Sequence, residues 1–348
     1  MNLILKTING IKNTQVPIWL MRQAGRYLPE YRKIRENFPS FIDFCLTPEA
    51  ASEVTIQPLK RFNLDAAIIF SDILILPHAL GLKVDFQEGK GPILDKIERT
   101  KDLKLNKKAL QKVYKAIDIT RAILEKDFPE KALIGFAGAP WTVACYMIEG
   151  KGSKDFLDAR KFCYTNKKDF EDIIELLIEK TSEHLIGQIN AGVKIVKIFD
   201  SWAGILPPEL FEKFVIEPTK KIVDNIRSEY KDIPIIGFAK GSGSMNLDYA
   251  KKTGISCVAV DHNTKISWMK ENLDEKIILQ GNLDNVLLFS DKNDIEMEAK
   301  KILDTLSDRP FIFNLGHGVL PGTPIENVEH LVNVVKNYEK CIKTKKIK

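Results

Sequence analysis

Eight short runs rich in β-branched and apolar residues punctuate this chain, and a longer amphipathic stretch follows nearly every one. The runs are Val16–Met21, Ala66–Phe70, Ala132–Ala137, Val193–Phe199, Pro234–Phe238, Ser256–Val260, Lys276–Leu279 and Phe311–Asn314. Each has the length of a buried strand. The stretches between them carry apolar residues at helical spacing, as Leu110, Val113, Ile117, Ile123 and Leu124 do within Asn106–Lys126. Strand and helix in strict alternation leave few solutions, because sequential parallel strands need a crossover that covers the sheet. The two candidates are a closed (β/α)8 barrel and an open, doubly wound sheet. Polar or glycine-bearing residues follow nearly every run, which suits a barrel that gathers its strand C-termini around one mouth. An open sheet would bind its ligand at a single switch point, and no G-x-G-x-x-G sequence follows the first run. The expectation is one (β/α)8 TIM-barrel domain over residues 1–348.

Local signals agree with this order. Thr47-Pro48-Glu49 reads as a helix start that should run to about Phe62. Tyr31–Phe38 reads as a helix stopped by Pro39, Asp169–Asn190 as a long helix, and Pro208–Glu229 as a helix kinked at Pro218. Val84–Arg99, with its G-K-G-P, reads as a small hairpin excursion, and Pro324–Lys343 as the closing helix. Gly241-Ser242-Gly243-Ser244 lacks the Lys-Ser/Thr ending of a phosphate loop and reads as a mobile loop.

Composition narrows the function classes. Of 348 residues, 44% are hydrophobic, ample for a large core, and 28% are charged. The net charge of +5 is spread along the chain, so no basic block with interleaved aromatics points to nucleic acid. The lysine-rich residues 343–348 read as a frayed, disordered end. No apolar run reaches a membrane span or a secretory core, and five scattered cysteines lack metal or disulfide spacing. These features imply a cytoplasmic chain in a reducing compartment, with no membrane partner.

The barrel brings particular side chains to its mouth. Arg22 and Arg26 flank Gly25 just past the first strand, and an arginine fork matches carboxylate or phosphate. Asp72 follows the second strand, Tyr146 lies beyond the third, Ser201 follows the fourth, and His317 stands between two glycines after the eighth. Each has a plain alternative: a solvated arginine, a helix cap, a core tyrosine, a turn histidine. Together they supply two cations, a carboxylate, two hydroxyls and an imidazole, a set suited to a ligand bearing several carboxylates and N–H donors. A metal is not expected, since only His317 has ligand character and no partner stands beside it. Ser201 has no G-x-S-x-G context for a nucleophile.

These residues lie in stretches that carry a family resemblance. M-R-Q-A-G-R-Y-L-P-E-Y-R at Met21–Arg32, F-S-D-I-L at Phe70–Leu74, G-A-P-W-T at Gly138–Thr142 and Y-M-I-E-G at Tyr146–Gly150 resemble uroporphyrinogen decarboxylase. So do F-D-S-W-A-G at Phe199–Gly204, G-F-A-K at Gly237–Lys240, Q-G-N-L-D at Gln280–Asp284 and N-L-G-H-G at Asn314–Gly318. The match spans nearly the whole chain in order.

The resemblance implies a homodimeric barrel of haem and porphyrin biosynthesis. It implies removal of carbon dioxide from the four acetate arms of uroporphyrinogen III, giving coproporphyrinogen III, without metal or organic cofactor. Carried over by position, Arg22, Gln23, Ala24, Gly25 and Arg26 form the substrate-carboxylate loop. Asp72 accepts from the pyrrole N–H groups and stabilises developing positive charge. Tyr146, Ser201 and His317 make further polar contacts, and proton delivery stays open between Tyr146, His317 and a bound water. Two rival readings stand beside this one. Corrinoid-dependent methyltransferases of similar fold carry a His/Cys zinc site, and no cysteine lies near His317. A tetrapyrrole carrier would need the arginines without Asp72.

Overall fold

The computed structural model describes residues 2–87, 91–97 and 99–338. Seven strands form one all-parallel sheet, each paired with the next in chain order. They are β1 (Ala66–Ile68), β4 (Ala132–Gly138), β5 (Ile195–Asp200), β6 (Ile235–Ala239), β7 (Cys257–Ala259), β8 (Ile278–Leu283) and β9 (Phe311–Leu315). The strands β2 (Val84–Gln87) and β3 (Gly91–Leu94) pair antiparallel as the expected excursion. Residues 88–90 of that hairpin, Cys341, the end of the closing helix and the 343–348 tail lie outside the described residues.

The first expected strand closes the sheet with very little pairing of its own. Ile18 makes a single parallel bridge to Phe313 of β9. The Phe313 N–H donates to Pro17 O at 2.8 Å, and on the other side the Asp65 N–H donates to Ile18 O at 2.8 Å. Residues 16–21 therefore fill the slot between β9 and β1 and complete an eight-membered ring. Proline at position 17 has no N–H to offer a ladder, which is one reason the pairing stays short. Asp65 reinforces the closure: its Oδ2 accepts from the Ile18 N–H at 2.7 Å, and both its oxygens accept from Lys336 Nζ at 2.6 Å. The last described helix, Ile325–Lys336, is thereby tied to the seam.

Side chains on each strand alternate between two cores. On β6, Ile236 and Phe238 point into the barrel, while Ile235 and Ala239 pack outward against the helices. Both faces are buried, as a parallel strand under helices requires. The interior is filled by Trp19, Ile68, Ile134, Ile195, Phe199, Cys257, Ile278 and Ile312, among others. Ile4 and Ile8 of the helix Leu3–Ile8 join that interior cluster, and Asn2 donates to Asp65 O at 3.2 Å, so this helix stops the strands' N-terminal end. Lys197 places a charged side chain in this interior. It is 2% exposed, and its ammonium lies 4.9, 4.8 and 5.2 Å from the ring centroids of Trp19, Phe199 and Phe238.

Several boundaries move from their expected places. The strand expected over Lys276–Leu279 runs instead over Ile278–Leu283, so Gln280-Gly281-Asn282-Leu283 is buried strand rather than loop. Its polar side chains are satisfied from afar: Trp19 Nε1 donates to Gln280 Oε1 at 3.0 Å, and Asn282 Nδ2 donates to Asp261 O at 2.9 Å. The expected helix Tyr31–Phe38 is Pro29–Arg35. Pro208–Glu229 divides into Pro208–Phe211, a wide turn of π type over Glu212–Ile216, and Glu217–Glu229. That wide turn lies just ahead of Pro218, which lacks the N–H a regular helix needs. The helices Phe41–Cys45, Ile75–Ala79 and Leu157–Thr165 carry too short a periodicity to be read from sequence.

Candidate active site

The mouth is built where the strands end. Arg22 stands in the turn that leaves the first slot, closed by the Gln23 N–H donating to Leu20 O at 3.0 Å. Its φ is +60°, a left-handed backbone that a non-glycine residue adopts at a cost of order 1–3 kcal/mol. Four hydrogen bonds hold it there. Gln23 is fully buried; its Oε1 accepts from the Leu20 N–H at 3.1 Å and its Nε2 donates to Ala66 O at 3.0 Å. The Met21 N–H donates to Asn314 Oδ1 at 3.1 Å, and Tyr27 donates its hydroxyl proton to Gln23 O at 2.9 Å. Gly25 meets the turn so closely that a Cβ there would come 3.0 Å from Arg22 O. Gln23 is thus the brace of the arginine loop, with Ala24 and Gly25 forming its half-buried floor.

Arg22 and Arg26 are both exposed residues, and among the described residues neither guanidinium has a hydrogen bond or ion pair. The Arg22 head feels Asp72 and Tyr146 as attractive neighbours and Arg26 as a repulsive one. The surrounding protein wall strips enough water from it to outweigh these and pull its pKa below the ordinary arginine value.

Asp72 lies in the loop after β1 and is half-buried. One oxygen, Oδ1, accepts from the Leu74 N–H at 2.8 Å, as a cap would. Loss of water pushes its carboxyl up to about 6, against the pull of that amide and of Arg22. Behind it, Tyr31, Phe41, Phe44, Phe70 and Phe86 form a continuous aromatic wall, with ring centroids 4.7–5.8 Å apart.

Tyr146 rides on the helix Pro140–Glu149, which begins two residues after β4. Its ring packs edge-on against Phe156 at 5.3 Å. Phe156 itself has a left-handed φ of +46° and lies 4.7 Å from Trp202. Burial pushes the Tyr146 phenol above its ordinary value, so the hydroxyl keeps its proton at neutral pH.

Ser201 follows β5 directly and is half-buried, and no hydrogen bond engages its hydroxyl among the described residues. Its neighbours fix it. Thr142 donates to the buried Asp200 Oδ1 and accepts from the Trp202 N–H at 3.0 Å, while the Trp141 indole donates to Trp202 O at 3.0 Å. Desolvation pushes the Asp200 carboxyl up to about 7.

His317 is half-buried at the end of β9. The Gly318 N–H donates to its Nδ1 at 2.8 Å, which leaves Nε2 as the protonated nitrogen of a neutral ring. Burial, then Arg22, Lys240, His262 and Lys197, push its pKa down to about 3. The loop that carries it is held by Asn285, whose Nδ2 donates to Gly318 O at 2.7 Å.

Arg26, Asp72, Tyr146 and His317 are therefore each electrostatic neighbours of Arg22, and Tyr146 is also a neighbour of Asp72. Ser201 joins them through the Trp202 loop. The sequence carries no signal for Gln23 as a brace or Asn285 as a loop tie, whereas Asn314, Lys240 and Trp202 lie inside the stretches that carry the family resemblance without being marked there as tie or rim residues. Among the described residues no group of three His, Cys, Asp or Glu side chains could hold a metal ion. What the arrangement offers is fixed positive charge at the rim, one accessible carboxylate, a protonated phenol and a neutral imidazole N–H.

The model of a family described as uroporphyrinogen decarboxylase (URO-D) matches residues 1–338. A curated uroporphyrinogen decarboxylase from Rickettsia rickettsii (strain Sheila Smith) is 50% identical over 336 residues, covering 95% of this chain and 96% of the relative. Its counterpart from Rickettsia bellii (strain RML369-C) is 49% identical over 341 residues, covering 97% and 99%. Among solved structures, a methyltransferase from Methanosarcina mazei superposes with a TM-score of 0.78 at 20% identity, covering 95% of this chain and 96% of that one. A B12-independent methionine synthase from Shewanella sp. W3-18-1 superposes at 0.53 with 10% identity, covering 83% and 85%. Those two likenesses speak to the fold alone.

Proposed function

The chain belongs to the uroporphyrinogen decarboxylase family, and on that premise we propose how its mouth carries out the reaction. The protein is a carboxy-lyase of porphyrin biosynthesis that decarboxylates the four acetate arms of uroporphyrinogen III to give coproporphyrinogen III. In our reading, Arg22 and Arg26 bind substrate carboxylates. Gln23, Ala24 and Gly25 set the loop that aims them. Asp72 accepts from the pyrrole N–H groups, and Tyr146, Ser201 and His317 supply further polar contacts.

An acetate on a pyrrole loses carbon dioxide only when the electron pair left behind has a sink. A proton added to the ring carbon next to the one that bears the arm makes the ring cationic. The bond to the carboxyl then breaks, its electron pair neutralises the ring as an exocyclic methylene, and carbon dioxide leaves. A proton on the methylene makes the methyl group, and loss of the ring proton restores the pyrrole. Asp72 faces that transient cation as a fixed carboxylate in a site with little water, where one preorganised group contributes on the order of 3 kcal/mol. With its pKa near 6, Asp72 is mostly ionised at neutral pH, which this role requires. A neutral His317 with its proton on Nε2 is a donor to a substrate carboxylate rather than a strong acid. Proton delivery is thereby assigned to the Tyr146 hydroxyl or a water beside it.

One observation carries this reading: Arg22 is held in a left-handed turn with an unpaired guanidinium beside Asp72 and Tyr146. Strain of that kind is retained where a side chain must point one way. The test is substrate binding by Arg22→Ala and Arg26→Ala. Each should weaken uroporphyrinogen binding about tenfold or more, the equivalent of one charge-assisted hydrogen bond. Parental KM in both variants would overturn it.

A homodimer and a cytoplasmic location belong to the same proposal. The exposed apolar side chains Val286, Phe289 and Met297 offer surface for a second copy. Among the described residues no helix is long and apolar enough to cross a membrane. Light scattering after size exclusion, and cell fractionation, test these two points.

A further inference from the structure

The barrel order places Lys240 opposite Arg22. Counting from the slot of residues 16–21, the ring runs through β1, β4 and β5 to β6, which is the fifth member of eight. Arg22 leaves the first member and Lys240 ends the fifth, so the two cations sit on opposing arcs of one mouth. They are close enough to oppose each other electrostatically, and both bear on His317.

The Lys240 backbone is fixed on both sides. Its N–H donates to Asp200 O at 3.0 Å, and its carbonyl accepts from the Gly204 N–H at 3.0 Å. Gly204 packs so tightly on Gly241 that no Cβ could fit there. The Gly241 N–H donates to the buried Asp261 Oδ2, and Oδ1 of Asp261 accepts from the Asn263 N–H at 2.9 Å. The side chain is half-buried, with its ammonium 5.9 Å from the centre of the Trp202 ring. Among the described residues it has no hydrogen bond and no ion pair. Burial favours the neutral amine, and the nearby Asp261 favours the charged one. A half-buried lysine whose ammonium makes no direct ion pair is unusual, because a cation drawn from water without a bonded carboxylate costs free energy.

We propose that Lys240 binds a peripheral carboxylate of the substrate on the edge of the macrocycle opposite the one held by Arg22. The proposal rests on the reading of the mouth as the uroporphyrinogen site. It adds what the paired arginines lack: a cation on the far arc, so that a ring with carboxylates around its whole periphery is held from two sides. The compact, rotatable ammonium suits arms that change place as successive acetates are removed.

The test is steady-state kinetics with uroporphyrinogen on K240M, K240R and R22A, with intermediates resolved by chromatography. K240M should raise KM about tenfold, the worth of one charge-assisted bond, while kcat changes less than about twofold. It should also release more partly decarboxylated product, and K240R should restore most of the KM. K240Q provides the same comparison if K240M does not fold. Parental KM in K240M and K240Q beside a raised KM in R22A would overturn the lysine proposal and leave the mouth reading standing. Parental KM in all three would overturn both. A fall in kcat alone that K240R does not rescue would make Lys240 a prop for Trp202, and would also overturn the proposal.

Discussion

The aliphatic stem of Arg22 lies directly on Gly318, so that a Cβ built at Gly318 would overlap Arg22 Cδ, with Cγ and Cβ close behind. The glycine after His317 therefore makes room for an arginine almost three hundred residues earlier in the chain. Gly318 does not have a left-handed φ, so its backbone accepts alanine without strain. Gly318→Ala should leave the melting temperature near the parental value. It should raise KM for uroporphyrinogen about tenfold by displacing a guanidinium it does not replace. A large loss of Tm with parental KM would show that the contact matters to the fold alone.

Asp72→Asn should separate activity from stability. The amide keeps the acceptor for the Leu74 N–H but loses the charge, so kcat should fall at least about 10²-fold. The stability effect has the opposite sign. The folded pKa of about 6 lies above the ordinary value of 3.8, so the native state binds more protons than the unfolded chain between these values. Stability from this group is complete below pH 3.8 and is lost as pH rises through 6. At pH 7.5 the variant should melt higher than the parent, and at pH 4 the gain should vanish. In the parent, kcat should decline as pH falls below about 6. A variant that turns over normally would remove Asp72 from the chemistry.

His317 contributes no titration near neutrality if its pKa lies near 3. The kcat profile from pH 6 to 8 should therefore be the same in shape for the parent and for His317→Asn. The asparagine keeps an N–H donor and should retain substantial turnover with altered release of intermediates. Complete loss of the first decarboxylation in a folded variant that still binds substrate would make His317 the acid.

Lys197 predicts a stabilising substitution. Burial drops its pKa from 10.5 to about 7 despite three aromatic neighbours, so the unfolded chain binds more protons between pH 7 and 10.5. Stability from this group rises with pH across that window, and the full cost of a charged interior is present below pH 7. Lys197→Met keeps the volume and removes the charge. It should raise Tm at pH 6 and have much less effect near pH 10. A lower Tm at pH 6 would mean that the contacts with Trp19, Phe199 and Phe238 outweigh desolvation.

The order of elements was legible because it depends on periodicity, and periodicity is local. Strands buried on two faces read as continuous apolar runs, and the helices between them read at 3.6-residue spacing. The positions of Arg22, Arg26, Asp72, Ser201 and His317 at one rim followed from that order, since a barrel turns sequence spacing into convergence. What remained hidden is what depends on distant partners. Gln280 and Asn282 look like loop residues by hydropathy, yet they belong to β8 because Trp19 and the Asp261–Thr264 turn satisfy them. Gln23 looks like a ligand in an arginine loop, yet its amide is consumed by Leu20 and Ala66.

The same division holds at the site. The amino-acid sequence by itself determined which groups arrive at the mouth and the net sign of its charge, because those are properties of residue type and of slot in the ring. Only the tertiary structure decided their states: which histidine nitrogen holds the proton, why Asp72 titrates near 6, and why Arg22 needs a glycine at position 318. These follow from how much water each group loses and which dipoles replace it. Both are set by side chains that meet only when the ring closes between Ile18 and Phe313.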